Sequence, residues 1–235
     1  MKILTVITVI VDKEMLTGII TGIIPIIISV ISLIIALITL YYNFIRPAKI
    51  KLIMGNTCQL YYLDYSTNNN YGLGVYLPID FVNISNKTGI VSKTAILLYN
   101  KKQDKEHFLM QQRNFSTVDT SQKKMVNNEF AHSIVIPPKT SVNKIVWYNW
   151  ENLSLPHIKL AKGEYVIKLY YWIPQYKKPK IEVCDLYIDD KIEASLNKCF
   201  NEKSVKTVEV ALNKEFDYNK CITKKEESLI IKGII

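Results

Sequence analysis

Three histidines and four cysteines are the side chains with the right chemistry for metal binding or nucleophilic attack, and their spacing favours neither. His107, His132 and His157 stand 25 residues apart, none beside a cysteine. Cys58, Cys184, Cys199 and Cys221 are separated by 126, 15 and 22 residues, with no C-x-x-C pair. A structural zinc site needs its ligands a few residues apart, so none is expected. In a reducing compartment these are free thiols; in an exported domain two disulfides could form in any of three connectivities. Asp189 and Asp190 follow a strand pattern and could hold a cation, but a helix cap plus a first-turn acid suits them better, because both stabilise an amide-rich helix start. No phosphate loop, dinucleotide fingerprint or G-x-S-x-G elbow occurs, and glycines number only eight. Neither a catalytic set nor a cofactor is expected. Asn83, Asn86, Asn114 and Asn152 open glycosylation sequons, which arise often by chance in an Asn-rich chain.

Charge and aromatics offer surface chemistry instead. The 235 residues carry 30 Lys plus Arg against 21 Asp plus Glu, a net +9, yet only Arg46 and Arg113 are arginines. Specific nucleic-acid readout leans on planar Arg forks and is not expected. Lysines in presumed loops are ordinarily solvated, whereas those held at an anionic lipid surface gain about 1 kcal/mol each. Arg46, Lys49 and Lys51, just after Tyr41 and Tyr42, are best placed for that. Trp147, Tyr148, Trp150, Tyr170 and Trp172 are candidates for a partner-binding patch, since Trp and Tyr are favoured contact anchors.

The elements that would position these groups follow from periodicity. Val75, Leu77, Ile79 and Phe81 make one face apolar, and Tyr165, Ile167, Leu169, Tyr171 and Ile173 make a second alternation, the period of half-buried strands. Tyr170 and Trp172 then point outward beside Lys168. Further strands are expected over residues 49–54, 59–65, 90–100, 107–111, 132–136, 144–150, 181–187 and 205–212, separated by turns such as Asn86-Lys87-Thr88-Gly89 and Pro137-Pro138-Lys139-Thr140. Residues 189–202 read as a short helix capping the sheet, with Ile192, Leu196 and Cys199 on one face. Residues 213–235 form a charged tail or a docked strand. The 47–212 stretch is long enough for one sandwich-sized domain.

Ahead of it, Met15 to Ile45 contains no Asp, Glu, Lys, Arg or His. About 20 helical residues cross a bilayer, so 15–46 is expected to span one, ending near Pro47, after a leader at 1–14 that lies at the interface or is loosely ordered. Gly18, Gly22, Pro25, Ser29, Ser32, Ala36 and Thr39 step by threes and fours along one seam of this helix. Small residues let helix backbones approach in lipid, so the seam predicts another transmembrane helix as partner, from a second copy or a different protein. Three basic residues just after the span against two before it, and a short N-terminal tail that is easily translocated, place the C-terminal domain in the cytoplasm of a single-pass cell-membrane protein.

The run Leu77-Pro78-Ile79-Asp80-Phe81-Val82-Asn83-Ile84-Ser85, with Gly89-Ile90-Val91, resembles the second and third strands of immunoglobulin-like domains in uncharacterised bacterial proteins tethered by one N-terminal helix. Ile136-Pro137-Pro138-Lys139-Thr140-Ser141 and Lys162-Gly163-Glu164-Tyr165 are similar to their later turns. The resemblance covers roughly residues 47–212 and implies an all-β, immunoglobulin-like antiparallel β-sandwich with a short inserted helix, preceded by one transmembrane helix. It transfers no catalytic or binding residues. The expected function is a membrane-anchored protein-interaction or scaffold module with no catalysis of its own. The alternatives are a ligand-binding receptor or enzyme with a site dispersed over the sandwich loops, or a lipid-surface sensor.

Overall fold

The computed structural model describes residues 2–65, 70–102, 107–119, 121, 124–150, 158–202 and 206–213. Its chain falls into two units, residues 1–47 and 48–235.

The first unit is a helix, α1 (Lys2–Leu40), continued by a π-helical turn over Tyr41–Ile45. α1 does not break at Asp12, Lys13 and Glu14, so the expected leader and span are one rod. Thr21–Ile45 is long and apolar enough to cross a membrane, with mean hydropathy 3.0 and no residue buried. Arg46 is already extended (φ −61°, ψ 132°). That ending follows from Pro47, whose ring disfavours helical geometry at the preceding residue.

The second unit is mostly antiparallel sheet. Its strands are β1 (Ile50–Met54), β2 (Thr57–Tyr65), β3 (Asn70–Asn83), β4 (Gly89–Val91), β5 (Lys93–Asn100), β6 (His107–Asp119), β7 (Lys124–Phe130), β8 (Ile134–Ile136), β9 (Ser141–Trp150), β10 (Gly163–Trp172), β11 (Lys180–Ile188) and β12 (Val208–Ala211), with one helix, α2 (Asp190–Asn201), before β12. Eight strands follow one hydrogen-bonded path, β11-β10-β5-β6-β9-β3-β2-β12; β1 adds to β3, β7 to β6, and β4 pairs with β8 in a small separate sheet. β3 organises the path. One of its edges pairs with β9 from Leu73 to Val82, and the other pairs first with β2 and then with β1.

The two ends of the path come together. Leu186 of β11 bridges Leu212, just past β12. Asn213 N donates to Asp185 O at 2.8 Å, and Asp185 N donates to Asn213 Oδ1 at 3.0 Å. The sheet is thus nearly a barrel, an arrangement that satisfies strand edges which would otherwise be open. Alternation fills the inside: Leu73, Val75, Leu77, Ile79 and Phe81 of β3 face Val146 and Tyr148 of β9, Ile96 and Leu98 of β5 and Ile167 and Leu169 of β10, all within about 1% of full burial. α2 packs on β2, β11 and β12, covering the seam where the path closes. Asp189 caps it by accepting from Ile192 N at 2.7 Å, Asp190 and Glu193 lie in its first turn, and Leu196 is fully buried.

Candidate functional site

The outer surface of β11, β10, β5 and β6 groups three exposed apolar side chains of the second unit, Leu109, Ile181 and Val183, whereas Ile53, Ile84, Val118, Phe130 and Val135 are exposed elsewhere. Cross-strand register aligns Val183, Lys168, Leu97 and Leu109 in one row and Ile181, Tyr170, Ala95 and Gln111 in the next. Ile181 (49% exposed), Val183 (56%) and Leu109 (52%) face outward on this surface. Its cations lie flat on aromatic rings: Lys168 Nζ is 5.0 Å from the centre of Tyr99, and Lys93 Nζ is 4.8 Å from that of Trp172. This packing holds long side chains down and leaves broad, rigid, partly apolar ground. Asp185, at the margin, is neutralised by Lys101 at 2.8 Å.

At one end of this surface a cleft of about 350 Å³ opens between Ser92, Lys93, Thr94, Ala95, Trp172 on one side and Leu109, Gln111, Gln112, Ala131, His132 on the other. A bulge makes it. β6 pairs with β5 only as far as Gln111, and its register against β9 shifts between Gln112 and Asn114, so β6 turns away to pair with β7. Thr94 loses its backbone partner there, and Gln112 replaces it. Gln112 Oε1 accepts from Thr94 N at 3.0 Å and from Thr94 Oγ1 at 2.9 Å. The hydroxyl of Tyr148 lies 2.7 Å from Thr94 Oγ1. Since Thr94 gives its hydroxyl proton to Gln112, the chain of donation runs Tyr148, Thr94, Gln112. The orientation of the Gln112 amide is thereby set, because the backbone N–H of Thr94 can only donate. Its Nε2 is buried, with no acceptor among the described residues.

His132, on the rim, has both ring nitrogens against acceptors: Nδ1 against Ser133 O at 2.7 Å and Nε2 against Glu129 Oε1 at 2.6 Å. A carbonyl and a carboxylate only accept, so this geometry belongs to the imidazolium. The Ser133 carbonyl, then Glu129, raise its pKa above the ordinary 6.5; His132 and then Lys144, at 3.2 Å, lower that of Glu129. The stabilisation due to His132 is therefore complete below about pH 6.5 and fades as pH climbs through its higher folded value, while that due to Glu129 is present above the usual carboxylate range and fades on acidification. An NMR titration is expected to place the His132 midpoint above 6.5, and Glu129→Gln to bring it down; an unmoved midpoint in the variant would refute the pairing.

The five expected patch aromatics separate. Tyr170 and Trp172 lie on the outer surface just described, with ring centres 6.4 Å apart. Tyr148 does not: it is fully buried and faces the core, where burial raises its pKa. Trp150 shares that inward parity and packs on Phe108 edge to face at 5.5 Å. Trp147 points outward but belongs to a different group, stacked on Tyr76 at 6.4 Å, which in turn stacks on Tyr61 at 5.2 Å. A continuous Trp147–Tyr148–Trp150 surface is therefore corrected, because neighbours on one strand alternate faces. Gln112, Lys93 and the cleft were not singled out from sequence; a bulge leaves no signature there beyond a pair of glutamines.

On α1, the places where Gly18 and Gly22 would carry a Cβ have no atom within 4 Å. Ser29 and Thr39 donate to Pro25 O and Ile35 O in their own helix, each at 2.8 Å. The seam is thus open, with its Ser29 and Thr39 protons already used. After it, Tyr41 and Tyr42 meet edge to face at 5.6 Å, and Arg46 lies 5.2 Å from the centre of the Tyr42 ring. Lys49 and Lys51 are exposed. Of the thiols, Cys58 and Cys184 are buried, and burial pushes Cys184 up to about 12 and Cys58 higher still, which keeps both protonated and poorly nucleophilic. Cys199 is likewise a buried free thiol, and Cys221 and His157 lie outside the described residues. Among the described residues no three His, Cys, Asp or Glu side chains cluster to hold a metal.

Fold and site together define a class: an antiparallel, barrel-like β head following an N-terminal apolar helix. No family model and no curated protein matches the chain. Among solved structures it is similar to the one titled "X-ray structure of Northeast Structural Genomics Consortium target SoR45", at 7% identity and a TM-score of 0.30, covering 76% of this chain and 97% of that one.

Proposed function

We propose that this is a single-pass membrane protein whose head, immunoglobulin-like in kind, docks a partner protein on the outer surface of β11, β10, β5 and β6, in the cytoplasm. One observation carries the reading: Ile181, Val183 and Leu109, each about half exposed, adjoin Tyr170 and Trp172 on one register-aligned surface. Isolated exposed apolar side chains are ordinary, but a contiguous group with aromatic anchors is what contact surfaces are made of. All-antiparallel pairing and strand alternation support the immunoglobulin-like kinship. Length and apolarity of Thr21–Ile45 support the anchor, and the open Gly18–Gly22 stretch supports a helix partner in the bilayer. Arg46, Lys49 and Lys51 suit the anionic lipid surface.

The test is a photo-crosslinker at Tyr170 or Val183 in the full chain in native membranes, with Asn143 as control. A discrete adduct at the first two positions, lost with Ile181→Glu, is expected. Equal or absent adducts at all three positions would refute the docking surface. Protease access to the head in sealed vesicles reads its side, and release of the full chain by alkaline carbonate would refute the anchor.

A further inference from the structure

A small apolar patch straddles a seam where the sheet is not bonded shut. Between Lys180 and Cys184, β11 lies beside β1 with no backbone hydrogen bond joining the two among the described residues. Side chains make the contact instead: Lys180 Nζ reaches Ile50 O and Cys184 Sγ reaches Met54 Sδ, each at 3.5 Å. These two contacts bracket Ile53 and Val183, which point outward on the two strands and are 54% and 56% exposed; Ile181, at 49%, is the next outward residue of β11. The rim is basic. Lys49 and Lys51 are exposed, and among the described residues neither they nor Lys180 form an ion pair. Burial and then nearby Lys49 lower the Lys180 pKa, against a weaker pull from Glu182, as befits crowded cations.

The chain leaves β12 beside this patch. Asn213, with φ 56°, turns it off the strand line while exchanging two hydrogen bonds with Asp185. Along β11, Val183 is two residues from Asp185 and Lys180 is five, a span of about 17 Å. Residues 214–235 lie outside the described residues; their sequence places an acid pair, Glu226-Glu227, just before the apolar run Leu229-Ile230-Ile231-Lys232-Gly233-Ile234-Ile235. The 12 residues 214–225 have a flexible reach of about 19 Å. A tether whose reach matches the span holds its end at about millimolar effective concentration, which favours this chain's own segment over a separate molecule. We infer that Leu229 to Ile235 of this same chain cover Ile53, Ile181 and Val183, with Glu226 and Glu227 against Lys49, Lys51 and Lys180. Mutual burial of apolar side chains supplies the attraction, and the charges fix the end at which the segment enters. Ile181 and Val183 also belong to the docking surface, so on the reading proposed above the segment is an internal competitor that a partner must displace.

A photo-crosslinking residue in place of Val183 or Ile53, in the purified full chain in lipid nanodiscs, tests the coverage without any partner present. The expected product has monomer mass and joins the probe to the tryptic peptide 226–232, with a probe at Asn143 giving at least about fivefold less. Ile230→Asp with Ile231→Asp should cut the yield about fivefold. Glu226→Lys with Glu227→Lys should lower it too, and adding Lys49→Glu with Lys51→Glu should restore it, which a merely unfolded segment would not do. Adducts only at dimer mass would assign the patch to a second copy and overturn the inference, as would no adduct to 226–232 or an equal one from Asn143. Deleting residues 229–235 reads the consequence separately: partner adducts from Tyr170 in native membranes should rise about threefold or more. A partner adduct of unchanged yield overturns the competition. Absence of any partner adduct from either chain tells against the docking surface alone, because the monomer-mass product does not depend on it.

Discussion

Asn83→Leu is expected to destabilise the β head by roughly 3–5 kcal/mol, one of the largest single-residue effects in the protein. Asn83 is 1% exposed and sits where β3 ends. Its two Nδ2 protons serve three carbonyls, Lys87 O at 2.7 Å, Ile136 O at 3.0 Å and Pro137 O at 3.1 Å, one proton being shared, and its Oδ1 accepts from Ser85 N and Ser85 Oγ at 3.0 and 2.6 Å. One amide thereby ties the end of the large sheet to the turn before β4 and to β8, both strands of the small sheet. Leucine has similar volume but leaves these backbone groups without a partner, and their desolvation is not recovered. Urea unfolding of the full chain in micelles, followed by tryptophan fluorescence, reads the loss. Asn83→Asp separates the donor from the shape. Its side chain must be protonated to donate to those carbonyls, so its folded pKa is raised; the variant is most stable below about pH 4, the unfolded value, and loses that stability as pH rises from there through the raised folded pKa. A mild Asn83→Leu, or an Asn83→Asp whose stability ignores pH, would refute the assignment. The same burial removes Asn83 as a glycan acceptor in the folded head, although its sequon is intact.

Gly74→Val is expected to cost roughly 2–4 kcal/mol, for a reason unrelated to backbone freedom. The ring of Tyr61 lies directly against Gly74, and a Cβ built there would overlap its Cε1 and Cζ atoms. Tyr61 has little room to yield: it is 5% exposed and stacked on Tyr76 with planes 14° apart. On an open strand, replacing glycine would gain up to about 1 kcal/mol, so the sign of the change reports the overlap. A double-mutant cycle with Tyr61→Ala checks it. Removing the ring should recover most of the loss, with a coupling above about 1 kcal/mol; additive costs would mean that the two positions do not interact as described.

Much of the architecture was legible in residue order. Charge-free length marked α1, since a helix of aliphatic residues has no alternative way to hide its surface. Alternation located most strands, and Asp189 ahead of Asp190 announced the start of α2. β7 was missed because Lys124 to Phe130 mixes apolar and polar residues on both faces, so period two has no clear face to register, and β6 runs on to Asp119 past the expected end for the same reason. Ser92 divides what reads as one strand over 90–100 into β4 and β5, and the two halves join different sheets.

The partner patch shows the limit most clearly. Period two correctly paired Tyr170 with Trp172 and opposed them to Tyr171, yet could not say that Tyr148 faces the core or that Trp147 belongs to the Tyr61–Tyr76 stack. Parity is a local property of a strand, set by backbone pleat. Which parity faces inward depends on the strands alongside, and a bulge such as that between Gln112 and Asn114 resets it without altering composition. By itself, then, the sequence determined an apolar helix, a strand-rich head and one capped helix, because these follow from side-chain solvation and short-range backbone preference. Closure of the sheet at Leu186 and Leu212, the buried Asn83 junction and the cleft beside the β6 bulge were decided only by tertiary structure, because each joins residues whose separation along the chain carries no energetic signature until the strands have met.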